Sequence, residues 1–302
     1  MIQSLAELRQ SASKNGRRTL AVAVAQDAEV LLAVDAAAKL GLADAILVGD
    51  EPEIRRIASE HSICLDAFPI EHEADKILAC RKAVSLVREG RAGALMKGIV
   101  DTSIILKAVL DRENGLRKAS VLSHVALFEI PGFDRLLTVT DVAMNIAPDL
   151  DAKRHILENA VQVLHALGNP NPIAAGLCAV EKVNPKMSAT LDADALTAAC
   201  RAGEISGCRV IGPVALDNAV SPAAARHKGI SDPLAGYADI LLAPDIEAGN
   251  ILYKALVFLA RAKNAGIIVG AKAPIVLTSR ADSDETKLNS IALVLAVAAN
   301  TP

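Results

Sequence analysis

The sequence predicts an α/β protein: mostly parallel sheet with helices on both faces. Three observations predict it. Short apolar runs alternate with helix-period segments along nearly the whole chain. Of the 302 residues, 52% are hydrophobic, and Ala, Val, Leu and Ile supply almost all of them, as strands covered on both faces require. Aromatics make up only 2%, so the core is aliphatic. At a soft ~150 residues per domain, the length suits two domains or one large α/β unit.

Residues 19–25 read as a buried strand and 28–40 as a helix stopped by Gly41. Residues 44–49 form the second strand, followed by a helix over 52–60. A helix over 75–90 again ends on a glycine, and strand 92–96 leads into helix 102–110. The middle changes texture. Strand-like runs at 121–130 and 136–141, joined through Pro131-Gly132-Phe133, predict an antiparallel pair and a second domain. Then come helix 152–167, a Gly-Asn-Pro-Asn-Pro loop, strand 173–183, helix 192–202 and strand 210–216. Strand 240–243, helix 251–263, strand 274–279 and helix 284–299 return to the opening texture. With no repeat and no low-complexity linker, two domains sharing a sheet fit better than independent beads.

Composition excludes several classes. Net charge is −3 and there is no Trp, so neither a basic footprint nor stacking platforms for nucleic acid are present. The longest apolar run, 291–299, is far below the ~20 residues of a membrane span. The run 20–25 after Arg17-Arg18 is shorter than the ~7–15 residues of a signal-peptide core. Five cysteines (Cys64, Cys80, Cys178, Cys200, Cys208) form no Cys-x-x-Cys pair, which points to free thiols and the cytoplasm. The six histidines show no metal-ligand spacing, so no metal is expected. No Gly-x-Gly, no Gly-Lys and no Gly-x-Ser-x-Gly occurs, which argues against a common dinucleotide-binding dehydrogenase, a P-loop enzyme and an α/β-hydrolase.

Ligands of parallel sheets bind at the carboxyl ends of the strands. Four such places carry polar clusters. Lys97-Gly98 and Asp101-Thr102-Ser103 read as an anion site at a helix start, or equally as an ordinary loop with a cap and a solvated lysine. Asp245 to Asn250 precede an apolar-faced helix, with Asn250 as its expected N-cap and capping alone as the plainer reading. Thr278-Ser279-Arg280 with Asp282 and Asp284 place hydroxyls and a guanidinium at a crest, a phosphate- or carboxylate-binding set, against a surface ion pair as the alternative. Asp217-Asn218 with His227-Lys228-Gly229 serve turn and cap chemistry just as well.

Together these clusters resemble the phosphate acetyltransferase and phosphate butyryltransferase family. The matching stretches are Leu95-Met96-Lys97-Gly98 with Thr102-Ser103, the run from Cys178 to Lys186, Gly212-Pro213 with Leu216-Asp217-Asn218-Ala219, His227-Lys228-Gly229, the run from Ile246 to Lys254, and the run from Thr278 to Ser283. They cover about residues 90–300. The resemblance implies a two-domain α/β/α sandwich of the isocitrate dehydrogenase-like type, with the active site in the interdomain cleft. Residues 1–120 plus 269–302 would form the domain with the Ser-Arg crest and 121–268 the other. It implies the reaction acyl-CoA plus phosphate giving acyl phosphate plus CoA, by direct transfer in a ternary complex. CoA is then substrate or product, with no tightly bound cofactor. The partners are small molecules, with no nucleic acid or membrane, and the chain forms a homodimer or larger homo-oligomer.

Acetyl enzymes of the family typically read Ser-Arg-Gly and Asp-Ala-Gly-Asn where this chain has Ser279-Arg280-Ala281 and Glu247-Ala248-Gly249-Asn250, which is closer to the butyryl branch. Their proposed catalytic Asp falls on Thr286, and one of their arginines on Lys107. The resemblance implies that Arg280 polarises the acyl carbonyl, Ser279 bonds the developing oxyanion or thiolate, and Lys97, Gly98, Thr102, Ser103 and Lys107 bind phosphate or substrate. Asn250, Tyr253 and Lys254 join the substrate contacts. Asp282 ranks first as base for the CoA thiol, ahead of Asp284 and Glu285. Two other readings stand beside this one: a dehydrogenase of the same fold acting on a hydroxy-acid phosphate, and a non-catalytic CoA-binding protein.

Overall fold

The computed structural model describes residues 1–14, 16–118, 121–278 and 282–299. The chain divides into two compact units, Leu5–Ser120 with Ala265–Pro302, and Met1–Ser4 with Val121–Asn264.

The first unit is built on β1 (Arg18–Ala23), β2 (Ala43–Gly49), β3 (Ile70–His72), β4 (Ala94–Lys97), β10 (Lys263–Val269) and β11 (Ile275–Val276). Their order is β3-β2-β1-β4-β11-β10. Every pair is parallel except the last, where Ile267 faces Val276. Leu20 to Ala23 and Ala94 to Lys97 are buried on both faces, which explains their unbroken apolar runs. Two helix layers cover them. Helices α1 (Leu5–Lys14), α2 (Ala28–Lys39) and α11 (Asp284–Ala299) pack together, as do α4 (Lys76–Arg88) and α5 (Thr102–Val109). Helix α3 (Glu51–Glu60) sits beside β3. Asp27 starts α2 by accepting from Val30 N, and Asp75 starts α4 by accepting from Ile77 N and Leu78 N.

The second unit holds β5 (Ser123–Glu129), β6 (Leu137–Thr140), β7 (Ile173–Leu177), β8 (Arg209–Val214) and β9 (Ile240–Leu242) in the order β5-β6-β9-β7-β8. The expected hairpin is present: Ala126 pairs with Val139 antiparallel, and the other strands run parallel. Helices α6 (Leu150–Ala166) and α7 (Ser188–Arg201) pack together on the sheet. The core around Phe128, Val139 and Leu241 also receives α8 (Leu216–Val220), α9 (Pro222–His227) and α10 (Ile246–Lys254) through Ala219, Ala225 and Tyr253.

Several elements differ from the sequence expectation. Helix α1 is additional; its Leu5, Leu8 and Ala12 form a buried stripe amid polar residues. Strands β3 and β10 and the short α8 and α9 are additional too. Strand β7 stops at Leu177, well before 183, because the chain turns away after Cys178, and α7 starts at Ser188. Helix α10 starts at Ile246, since the carboxylate of Asp245 accepts from Ala248 N; Asn250 is therefore inside the helix and is not its cap. The expected helix 251–263 instead passes through a π turn (Ala255–Leu259) and gives way to β10. No helix among the described residues is long and apolar enough to cross a membrane.

Candidate active site

Strands β1, β4 and β11 are parallel, so their carboxyl ends share one edge of the first unit. A cavity of about 280 Å³ opens there, lined by Asp27, Glu29, Lys97, Gly98, Thr278 and Lys287 among others. Lys97 is 7% exposed, and its Nζ donates to the carbonyls of Gly98 (3.2 Å) and Val100 (3.1 Å). Gly98 is a glycine for a steric reason. A Cβ there would stand 2.1 Å from Val24 O and 2.7 Å from Ala23 O. The loop hugs the exit of β1 through Gly98 N to Ala23 O (2.8 Å) and Ile99 N to Val24 O (2.9 Å). Lys97 and Gly98 both line the cavity.

Thr102 and Ser103 occupy the first turn of α5 and Lys107 its last; none of the three lines this cavity. Thr278, which is buried, does. Ser279 and Arg280 lie outside the described residues. Asp282 is half-buried, and its carbonyl accepts from Lys287 Nζ at 2.5 Å. Ser283 performs the capping expected of Asp284: its Oγ accepts from Thr286 N at 3.2 Å. Asp284 and Glu285 are exposed in the first turn of α11.

The other predicted residues sit on α10, in the second unit. Asn250 Nδ2 donates to Val142 O at 3.1 Å. Tyr253 is buried; its ring stands edge-on to Phe128 and its hydroxyl accepts from Asn264 Nδ2 at 2.6 Å. Lys254 Nζ lies 5.3 Å above the Tyr253 ring and 5.7 Å above that of Phe258. Gly249 lets α10 approach the loop after β6, since a Cβ there would meet Asp141 O at 2.2 Å. Asp141, missed by sequence reasoning, organises that loop. Its buried carboxylate accepts from Ala143 N (2.9 Å), Met144 N (3.1 Å) and Asn145 N (3.1 Å). In sequence it reads only as a strand end.

Three of the motif stretches converge elsewhere in the second unit. Glu181 Oε1 accepts from Asn218 Nδ2 and from Lys228 Nζ, both at 2.7 Å, and Lys228 also reaches Asp217 at 3.3 Å. The Lys228 ammonium holds the Glu181 carboxyl below the usual carboxylate range, and Glu181 in turn holds Lys228 up. An open pocket of about 960 Å³ adjoins the pair.

Burial pushes the thiols of Cys80 and Cys178 up to about 11 and that of Cys208 up to about 12, so none of these is a ready nucleophile at neutral pH. Among the described residues, no three His, Cys, Asp or Glu side chains are grouped to hold a metal ion.

Comparison with known proteins bears on this arrangement. The model of the family described as "Phosphate acetyl/butaryl transferase" matches residues 70–295. The phosphate butyryltransferase of Clostridium acetobutylicum is 51% identical over 300 residues, covering 99% of this chain and 100% of its own. The probable phosphate butyryltransferase of Bacillus subtilis is 54% identical, covering 96% and 97%. The crystal structure of a branched-chain phosphotransacylase from Enterococcus faecalis V583 superposes with a TM-score of 0.83 at 37% identity, covering 93% of this chain and 99% of that one. Motifs, fold and full-length identity agree: the chain is an acyltransferase that belongs to the phosphate acetyl/butyryl transferase family.

Proposed function

We propose that this enzyme moves a short acyl group between the sulfur of CoA and inorganic phosphate by direct transfer in a ternary complex. The observation that carries the proposal is the match, over 99% of the chain, to a phosphate butyryltransferase. In the thioester-forming direction, the CoA thiolate attacks the acyl phosphate carbonyl. The carbon–sulfur bond forms, the carbon–oxygen bond to phosphorus breaks, and phosphate leaves with the bonding pair. The thiol proton passes to a carboxylate base.

Lys97 and Gly98 border the cavity at the carboxyl edge and supply a cation for phosphate. Thr102, Ser103 and Lys107 extend that role along α5. Arg280 polarises the carbonyl and Ser279 donates to the developing charge, the two functions a carbonyl addition needs most. Asp282 takes the thiol proton. Asn250, Tyr253 and Lys254 serve substrate binding from α10. No acyl-enzyme is required, because both substrates are bound together.

The same proposal carries the kinship to the isocitrate dehydrogenase-like fold, domains at 1–120 plus 269–302 and 121–268, a cytoplasmic location and a homo-oligomeric state. Phosphate-dependent release of free thiol from butyryl-CoA, with acetyl- and branched acyl-CoA in parallel, is the test. Thiol release that ignores phosphate, or none with any of the three, overturns the reading.

A further inference from the structure

Strands β6, β7 and β9 run parallel, so their carboxyl ends share one edge of the second unit, the side on which ligands of such sheets bind. The loop after β6 and the start of α10, just after β9, both lie on that edge. Asp141 is the first residue of that loop and is 3% exposed. A buried carboxylate is costly unless its oxygens are bonded. Here Oδ1 accepts from His124 N of β5 at 3.3 Å, from Ala143 N at 2.9 Å and from Met144 N at 3.1 Å. Oδ2 accepts from Asn145 N at 3.1 Å and Asn145 Nδ2 at 2.5 Å. These donors belong to β5 and to the loop itself. Helix α10 meets the same loop on carbonyl oxygens instead. Ile246 N donates to Ile146 O at 3.0 Å, and Asn250 Nδ2 donates to Val142 O at 3.1 Å. Gly249 comes so close that a Cβ there would stand 2.2 Å from Asp141 O.

One peptide group joins the two sets of contacts. The trans peptide between Val142 and Ala143 points its N–H and its C=O in opposite directions. The Asp141 carboxylate takes the N–H, so the C=O faces away from it, and there Asn250 meets it. The amide nitrogen of Asn250 is thereby committed to Val142, which turns the amide oxygen of this exposed side chain the other way, as an acceptor. Of the two substrates, CoA carries amide N–H donors, whereas phosphate near neutral pH chiefly accepts.

We propose that Asp141 is a positioning residue for CoA binding: through the Val142–Ala143 peptide it fixes the amide of Asn250 and seats the first turns of α10. The inference rests on the acyl-transfer reading and on the substrate contact given there to Asn250. The seat itself is a property of the fold and is measurable without turnover.

Asp141→Asn keeps the size and replaces one accepting oxygen by a donor. KM for butyryl-CoA should rise ~5- to 10-fold, the range of one lost hydrogen bond, with kcat and KM for phosphate within ~2-fold of wild type. Asn250→Ala should raise the same KM, and the double variant should be no worse than the single ones, because both break one chain of contacts. A general loosening of the fold would instead lower kcat, and the two effects would multiply. Amide hydrogen exchange in Asp141→Asn should speed up in the peptides spanning 142–146 and 246–250 and not in α7. Should Asp141→Asn fail to fold, Asn145→Ala at its half-buried site withdraws a donor from the carboxylate. It should raise KM for butyryl-CoA by ~3-fold or more, again without adding to Asn250→Ala. A KM for butyryl-CoA within ~2-fold of wild type, effects that multiply, or unchanged exchange at 246–250 overturns the proposal. Wild-type enzyme without phosphate-dependent thiol release would overturn the acyl-transfer reading instead, and the exchange measurement would still judge the hold of the loop on α10.

Discussion

The ammonium of Lys97 lies 3.1 Å from the carbonyl oxygen of Val100, three residues further along the same loop. This lysine curls over its own backbone instead of extending into water. The loop beneath it is pinned to β1, so the charge sits at a fixed place on the cavity wall.

Lys97→Met should therefore raise KM for phosphate by ~10- to 100-fold, the range expected for losing one charge-assisted hydrogen bond. KM for butyryl-CoA should move less. Initial rates at varied phosphate measure both. An unchanged phosphate KM would place the phosphate elsewhere.

Arg280→Ala should cut kcat by ~10²-fold, as expected for a lost oxyanion-stabilising donor, and Arg280→Lys should remain impaired because the planar fork is gone. Asp282→Asn should slow the direction that consumes free CoA, with rate partly restored at higher pH. The sign follows from the thiol: at a pKa near ~8.5, raising pH generates thiolate without a base. If Asp282→Asn keeps the wild-type pH profile, the base is another group.

Gly98→Ala should destabilise the fold by about 1–3 kcal/mol, because the new methyl overlaps backbone at Val24 O, which cannot swing aside. Gly93→Ala is the control; its Cβ would meet only the flexible Arg18 side chain, at 3.9 Å. Thermal melts of the two variants should separate clearly. Equal melting temperatures would refute the steric account of Gly98.

Cysteine chemistry should be absent from turnover. With Cys80, Cys178 and Cys208 protonated well above neutral pH, enzyme mixed with butyryl-CoA should show no acyl adduct by mass spectrometry. Iodoacetamide at pH 8 should label the exposed Cys64 well ahead of the buried Cys80 and Cys208. A stable acyl-cysteine would defeat the ternary-complex reading.

The Glu181–Lys228 pair predicts a pH window. The Glu181 carboxyl is held low, so its contribution is complete above its unfolded pKa of about 4.3 and fades as pH falls below it. Lys228 is held up, so its contribution is complete below about 10.4 and fades above. Melting temperatures of wild type and Glu181→Gln should differ at pH 7, and the difference should shrink as pH falls below about 4.3. A constant difference across that range would mean the pair does not titrate as a unit.

Much of this was legible in the sequence. Residues 19–25, 44–49 and 92–96 announce buried strands because both faces are apolar. The Lys97-Gly98 pair and Thr278 were marked by the carboxyl-end rule, and the structure lines one cavity with them. Other features depended on facts no local window holds. Asn250 and Asp245 are both good N-caps by residue type, and only the extended backbone at Asp245 decides between them. Strand β10 was hidden because its apolar run carries Gly266 and follows a helix-like stretch. Glu29 and Lys287 are separated by 258 positions, so their pairing follows from the packing of α2 on α11 and from nothing nearer.

The strand order has a consequence for how the chain is made. Strand β11 lies beside β4, yet β4 ends at Lys97 and β11 begins at Ile275. As the nascent chain lengthens, residues 5–120 emerge with the outer edge of β4 bare, and the whole of 121–264 must be translated before its partner arrives. At ~5–20 residues per second that is a wait of roughly 7–30 s, during which unpaired backbone and the aliphatic surface meant for α11 stay uncovered. Strands β5 to β9, all between Ser123 and Leu242, find their partners β5-β6-β9-β7-β8 within the stretch translated in that interval. The ribosome thus finishes the interruption before it finishes the sentence, and quality control has its longest opportunity to intervene on the half that began first.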